Sequence, residues 1–172
     1  MSIDEFWKII EGADDDIMVD MLCKLSRQDI VEFERHLRER IIECDNYNVI
    51  AALKIINGGV TDDTYLYFRC WLIAKGRRAF ENALQNADSI SDVLEDKEMP
   101  DCEGLLYLAT RAFEIKTGRA EDASFPRDTC ISQGLDYDFN APPTKGTDFS
   151  DKDLPELCPR LWERFGNPRL AP

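Results

Sequence analysis

Apolar residues recur at helical spacing along the first two-thirds of the chain, and capping residues, glycines and prolines cut that rhythm into segments. Ser2-Ile3-Asp4-Glu5 forms a capping box, after which Phe6, Ile9 and Ile10 line one face with Trp7 adjoining, and Gly12 marks a stop. Asp14-Asp15-Asp16 suits the positive end of a second helix, predicted to bury Ile17, Met18, Met21, Leu22 and Leu25. Ser26-Arg27-Gln28-Asp29 opens a third, long and amphipathic, with Ile30, Phe33, Leu37 and Ile41 inward. Asp45 or Asn46 caps a fourth, "YNVIAALKII", which is apolar on nearly every side and halts at Asn57-Gly58-Gly59. Thr61 starts a fifth that ends near Gly76, and Arg77 to about Ala87 gives a sixth with Phe80 and Leu84 inward. Ser89 or Ser91 opens a short turn through Val93 and Leu94. Glu103 to Lys116 reads as a seventh helix, with Leu105, Leu106, Leu108, Ala109, Ala112 and Phe113 inward and Gly118 as its C-cap.

Beyond Gly118 the rhythm is lost to Pro126, Gly134, Pro142, Pro143, Gly146, Pro155, Pro159, Gly166, Pro168 and Pro172. Aromatic residues persist there as anchors: Phe125, Tyr137, Phe139, Phe149, Trp162 and Phe165. The segment is too apolar for a loose tail. The pattern therefore predicts an all-α fold, with about seven helices in 1–118 and a long Pro/Gly-rich extension over 119–172 wrapping the helical body. A short last helix is expected at "PRLWERF", with Pro159 in its first turn. No strand-like alternation is sustained, and no internal repeat is visible.

Charge narrows the partners. The 172 residues carry 34 acids against 21 Lys and Arg, a net charge of −13, which disfavours nucleic acid and anionic membrane and favours a protein with a basic surface. Candidate acidic faces run from Asp14 to Asp20, including Asp14, Asp15 and Asp16, from Glu32 to Glu43, and from Asp136 to Asp153, including Asp136 and Asp138. No two of the six cysteines lie close enough for a CxxC redox or zinc motif. The first residues lack the layout of a signal peptide, and no apolar run approaches the roughly 20 residues of a membrane helix. A reduced, cytoplasmic setting without disulfides is expected.

Candidate chemistry concentrates in "NGGVTDD" and the helix after it. Thr61 suits an N-cap, Asp62 and Asp63 suit a first turn, and the alternating acids of a calcium loop are absent, so a helix stop followed by a helix start accounts for the stretch. The following helix is apolar nearly all round and is expected to be buried, so Arg69 needs solvent or a carboxylate there. The alternative is a pocket near this central helix formed by Asp62, Asp63, Arg69 and Arg77. His36, the one histidine, stands among charged neighbours and reads as a solvated or salt-bridged surface group. Asp136-Tyr137-Asp138 offers two acids to a cation, but in a Gly-flanked loop they read as solvated. No nucleophile elbow, Cys–His pair, Walker loop or dinucleotide fingerprint occurs, and no catalytic residue, metal site or cofactor is assigned.

The segments "FWKII", "AALKIINGG", "TDD", "YFRCWLIAKGRRAF" and the ending "LW-x-R-F-G" together resemble the bacterial family named Domain of Unknown Function 4240. The resemblance covers about the first two-thirds of the chain plus that ending. Its members usually have an aromatic where Tyr65 stands, a small residue at the position of Cys70, and a proline at that of Ala87. It implies a helical domain and brings no established activity. The leading expectation is a non-enzymatic cytoplasmic interaction domain with an acidic binding surface, such as an immunity protein that neutralises a toxin domain. The rivals are an enzyme or small-ligand sensor using the central-helix pocket, and a regulatory module.

Overall fold

Each of the first five helices begins where a side chain meets an orphan backbone amide. In a computed structural model describing residues 1–11, 14–96 and 99–166, α1 (Ile3–Ile10) starts at Ser2, whose Oγ accepts from Glu5 N at 3.2 Å while Glu5 Oε2 accepts from Ser2 N at 2.7 Å. Gly12, Pro168 and Pro172 lie outside the described residues. Asp14 caps α2 (Asp15–Lys24), and Ser26 Oγ accepts from Asp29 N at the start of α3 (Arg27–Glu43). Asn46 caps α4 (Tyr47–Asn57), which ends on Gly58 at φ 74°, a left-handed conformation that suits glycine. Thr61 and Thr64 cap α5 (Asp62–Ala74) reciprocally, and α6 spans Arg77–Gln85.

The later chain is more broken than its pattern predicts. A 3-10 turn over Ala87–Asp92 is capped by Asn86 rather than by a serine. The seventh segment divides into a 3-10 turn, Glu103–Tyr107, and α7 (Leu108–Thr117), which ends on left-handed Gly118. Glycine fits at position 104 because the Asp15 carboxylate fills the place a Cβ would take. Three pieces escaped the periodicity: α8 (Pro126–Ser132), a 3-10 turn at Asp151–Asp153 and α9 (Leu154–Leu157). The last helix, α10 (Pro159–Phe165), begins on its proline as expected. The fold is helical, with no strand among the described residues; one isolated parallel bridge joins Asn46 and Lys145.

The chain divides into two units, each built from two separate stretches. Unit 1 takes Met1–Glu43 and Glu103–Pro142. In it α2 packs on α7, and α3 packs on α7 and α8, around Phe6, Leu22, Ile30, Phe33, Leu37, Ile41, Leu108, Ala112 and Phe125. Aromatic edges fix the packing: Phe6 lies 5.2 Å from Phe33, and Phe113 lies 5.0 Å from Phe125. Unit 2 takes Cys44–Cys102 and Pro143–Pro172. Here α4 packs against α9, α10 and the Ala87–Asp92 turn, and α5 against α4 and α6, burying Leu53, Ile55, Phe68, Leu72, Ile73, Phe80, Ile90 and Leu161.

Some inward assignments need correction. In α2 the buried set is Met18, Val19 and Leu22, whereas Ile17 is 51% exposed. The helix is turned about its axis by roughly one residue from the expected orientation. Leu84 is half-buried beside fully covered Ala83. Of the late aromatics, Phe125 is buried and Tyr137, Phe149, Trp162 and Phe165 are half-buried, but Phe139 is 94% exposed. His36 is no surface group. It is buried against Phe6, with Nε2 3.3 Å from the Met1 carbonyl and Nδ1 3.4 Å from Glu39.

Candidate functional site

Asp62 and Asp63 are exposed in the first turn of α5, where their charge complements the helix dipole. Arg69 follows two turns later, roughly 10 Å along the axis. It is buried, and its guanidinium lies over the Tyr65 ring at 4.5 Å. Tyr65 is itself fixed: its hydroxyl accepts from Asn46 N at 3.0 Å and donates toward the Cys44 and Asn46 carbonyls, each at 3.3 Å. Burial raises the Tyr65 phenol well above its usual range, so it stays protonated and remains a donor. Arg77, in the first turn of α6, bonds Glu81 at 2.7 Å. Each member of this set thus has a local structural role.

The acidic faces differ from one another. Along α3 the acids are answered within the helix, Glu32 and Glu39 by Arg35 and Glu43 by Arg40. On α2, Asp14 serves as the N-cap, accepting from Ile17 N at 3.1 Å, and Asp15 is half-buried over Gly104. Asp16 projects outward and meets Arg111 of α7 at 3.0 Å. Asp20 stands a turn after Asp16, and Ile115 a turn after Arg111, so this bridge marks where two exposed helix faces adjoin. Those faces present Asp16, Asp20 and Glu114 together with Ile17 and Ile115, the latter 65% exposed.

Asp136 is not solvated, although Asp138, Phe139 and Asn140 of its loop are exposed. The Asp136 side chain is buried and closes a turn by accepting from Asp138 N at 3.0 Å, from Asn140 N at 3.1 Å and from Asn140 Nδ2 at 3.1 Å. The bond from the Asp138 amide, then those from Asn140 and the nearby Arg38 charge, hold its carboxyl below the usual aspartate range. Beneath the turn lies Arg38, only 2% exposed. Its Nε donates to Glu34 Oε1 at 2.7 Å, a terminal nitrogen donates to the Leu135 carbonyl at 3.0 Å, and its guanidinium stacks 4.6 Å from the Tyr137 ring centre. Glu34 is equally buried; desolvation raises its carboxyl despite Arg38, and its Oε2 has no hydrogen-bond partner among the described residues. Buried Asp136 faces inward, while Asp138 and Phe139 point to solvent. Sequence reasoning passed over Glu34 and Arg38, although both interrupt the apolar stripe of α3 four residues apart, a signal that was available.

Among the described residues no three His, Cys, Asp or Glu side chains gather as a metal site would require. All six cysteines are thiols, and burial pushes Cys44, Cys130 and Cys158 up to about 12, far from nucleophilic. No helix of the described residues is long and apolar enough to cross a membrane.

A helical chain with an acidic ridge and a braced turn is the class these features define. Residues 1–115 match the family described as a protein of unknown function (DUF4240), and the chain belongs to that family. The matched stretch takes in α1 to α6 and most of α7, and it stops before the Asp136 turn and α10. No curated protein and no solved structure matches the chain.

Proposed function

We propose that this protein is a non-enzymatic cytoplasmic interaction domain that binds a basic protein through an acidic surface of unit 1. Its concrete form is an immunity protein that neutralises a toxin domain by covering its active site. The observation that carries this reading is the α2/α7 ridge, where exposed Ile17 and Ile115 stand among Asp16, Asp20 and Glu114. Apolar side chains inside a charged border are the composition of a protein interface; Arg111 pairs with Asp16 in this border and Lys116 reaches the Cys23 carbonyl, while Asp20 and Glu114 supply the negative charge offered to a basic partner. The net charge of −13 gives the same preference at long range.

The test is binding between the purified chain and a purified basic partner first found by co-purification. Reversing two exposed charges, Asp16→Lys with Asp20→Lys, is expected to weaken association at least tenfold while leaving the unfolding midpoint within a degree or two. Unchanged affinity in the double variant would remove the ridge from the interface.

A further inference from the structure

We infer that Phe139 is a pre-positioned anchor side chain for the partner protein, inserted into an apolar socket rimmed by lysine or arginine. The inference rests on the interaction reading above and names a contact that the reading does not contain.

A lone exposed hydrophobic residue is ordinary and by itself marks nothing. The support beneath Phe139 is what sets it apart. The side chain is 94% exposed at the tip of a turn whose geometry is fixed from three directions. Asp136 ties the turn from inside through the amides of Asp138 and Asn140 and the Asn140 side chain. Arg38 holds the segment entering it through the Leu135 carbonyl, and packs under Tyr137. Glu34 holds Arg38 from the far side. Placing two opposite charges at 2% exposure costs several kcal/mol of desolvation, only partly returned by their attraction. A turn with no duty beyond joining α8 to the next segment needs no such brace.

An aromatic on a fixed turn has a specific advantage in binding. Interface energy concentrates in a few aromatic or arginine anchors, and one carried on a backbone already fixed by Asp136 adds no loop-ordering cost on association. Two torsions are all Phe139 must give up. Charge decides the occupant. Asp138, the residue before Phe139, is also exposed, on a chain of net charge −13, so a socket bordered by positive side chains is favoured and a second copy of this chain is repelled.

The experiment uses the full chain and the same basic partner, separately purified, with affinities measured over a range of salt. Phe139→Ala is expected to weaken binding at least thirtyfold without altering the salt dependence, and Phe139→Leu to recover much of the loss. Asp138→Lys is expected to weaken binding and flatten the salt dependence. Because Phe139 is exposed, its variants fold as the parent does, which circular dichroism checks. Asp136→Ala serves as a second probe: it is expected to lose amide protection at Asp138 and Asn140 and to bind more weakly, with Phe139 intact. Wild-type affinity in Phe139→Ala overturns the inference, even where salt-dependent binding upholds the acidic-surface reading. A salt-independent complex that still needs Phe139 sinks that reading and overturns the cationic rim of the socket. If no purified basic protein binds, both fall.

Discussion

Arg38 and Glu34 show how one pair of residues can cost stability and still be kept. Removing Arg38 alone (Arg38→Met) strands a buried carboxylate and frees the Leu135 carbonyl, a loss of about 3–5 kcal/mol. Replacing both, Glu34→Leu with Arg38→Met, is expected to return stability to within about 1–2 kcal/mol of the parent, since the desolvation cost vanishes with the charges. Denaturant unfolding measures both values. The double variant should nonetheless exchange the Asp138 and Asn140 amides faster, because the turn has lost its floor. A double variant as unstable as the single one would show that the pair stabilises the fold outright. The same two residues were legible as an i, i+4 pair on an apolar face; what they hold, a carbonyl 97 residues later, was not.

At the level of elements, α10 depends on a cap supplied from elsewhere in unit 2. The Asp88 carboxylate, buried beside α10, accepts from Arg160 N at 3.0 Å and from Leu161 N at 3.0 Å, two amides with no partner inside the helix. Arg160 then pairs with Asp92, and Arg164 reaches the Ser91 and Leu94 carbonyls. Asp88→Ala is expected to cost about 1–3 kcal/mol and to loosen α10, seen as a shift in the emission of half-buried Trp162. An unaffected midpoint would mean that apolar packing on α4 holds the helix alone. Such caps explain which elements sequence can announce. α1 to α6 carry local starts and stops, so Ser2, Asp14, Ser26, Asn46 and Thr61 were readable within a few residues. α8, α9 and the 3-10 turns last one or two turns, too short to display a period, and Asp88 acts on amides 72 and 73 residues away. The orientation of α2 failed for a related reason: Ile17 and Val19 are equally apolar, and only packing against α7 decides which is covered.

For the whole molecule, titration follows from how the carboxylates are bonded. Glu5, Asp92, Asp122, Asp136 and Asp153 are all held below their usual ranges, by Ser2, Arg160, Ser124, the Asp138 amide and Ser150 respectively. Their contribution is complete above the ordinary carboxylate range and is lost as pH falls through the lowered folded values. Glu34 runs the other way, since its raised carboxyl is relieved of a burial penalty on protonation. The lowered groups outnumber it, so the thermal midpoint should fall steadily from pH 6 to pH 3; a flat profile would contradict the bonding described. Thiol chemistry offers a second check. Half-buried Cys23 and Cys102 should react with a maleimide under native conditions, and Cys44, Cys130 and Cys158 only after unfolding.

The acidic character was plain from composition, but its distribution was not, because sequence cannot show that α3 answers its own charges while the α2/α7 ridge, where Arg111 answers Asp16, presents Asp20 and Glu114 beside exposed isoleucines. That ridge and the charge behind it carry the central claim, and ionic strength tests it most directly. The dissociation constant of the complex with the purified basic partner would be measured between about 50 and about 300 mM salt. A steep loss, roughly tenfold or more, is the result expected of an acidic face on a basic one. A constant that does not change with salt would contradict it.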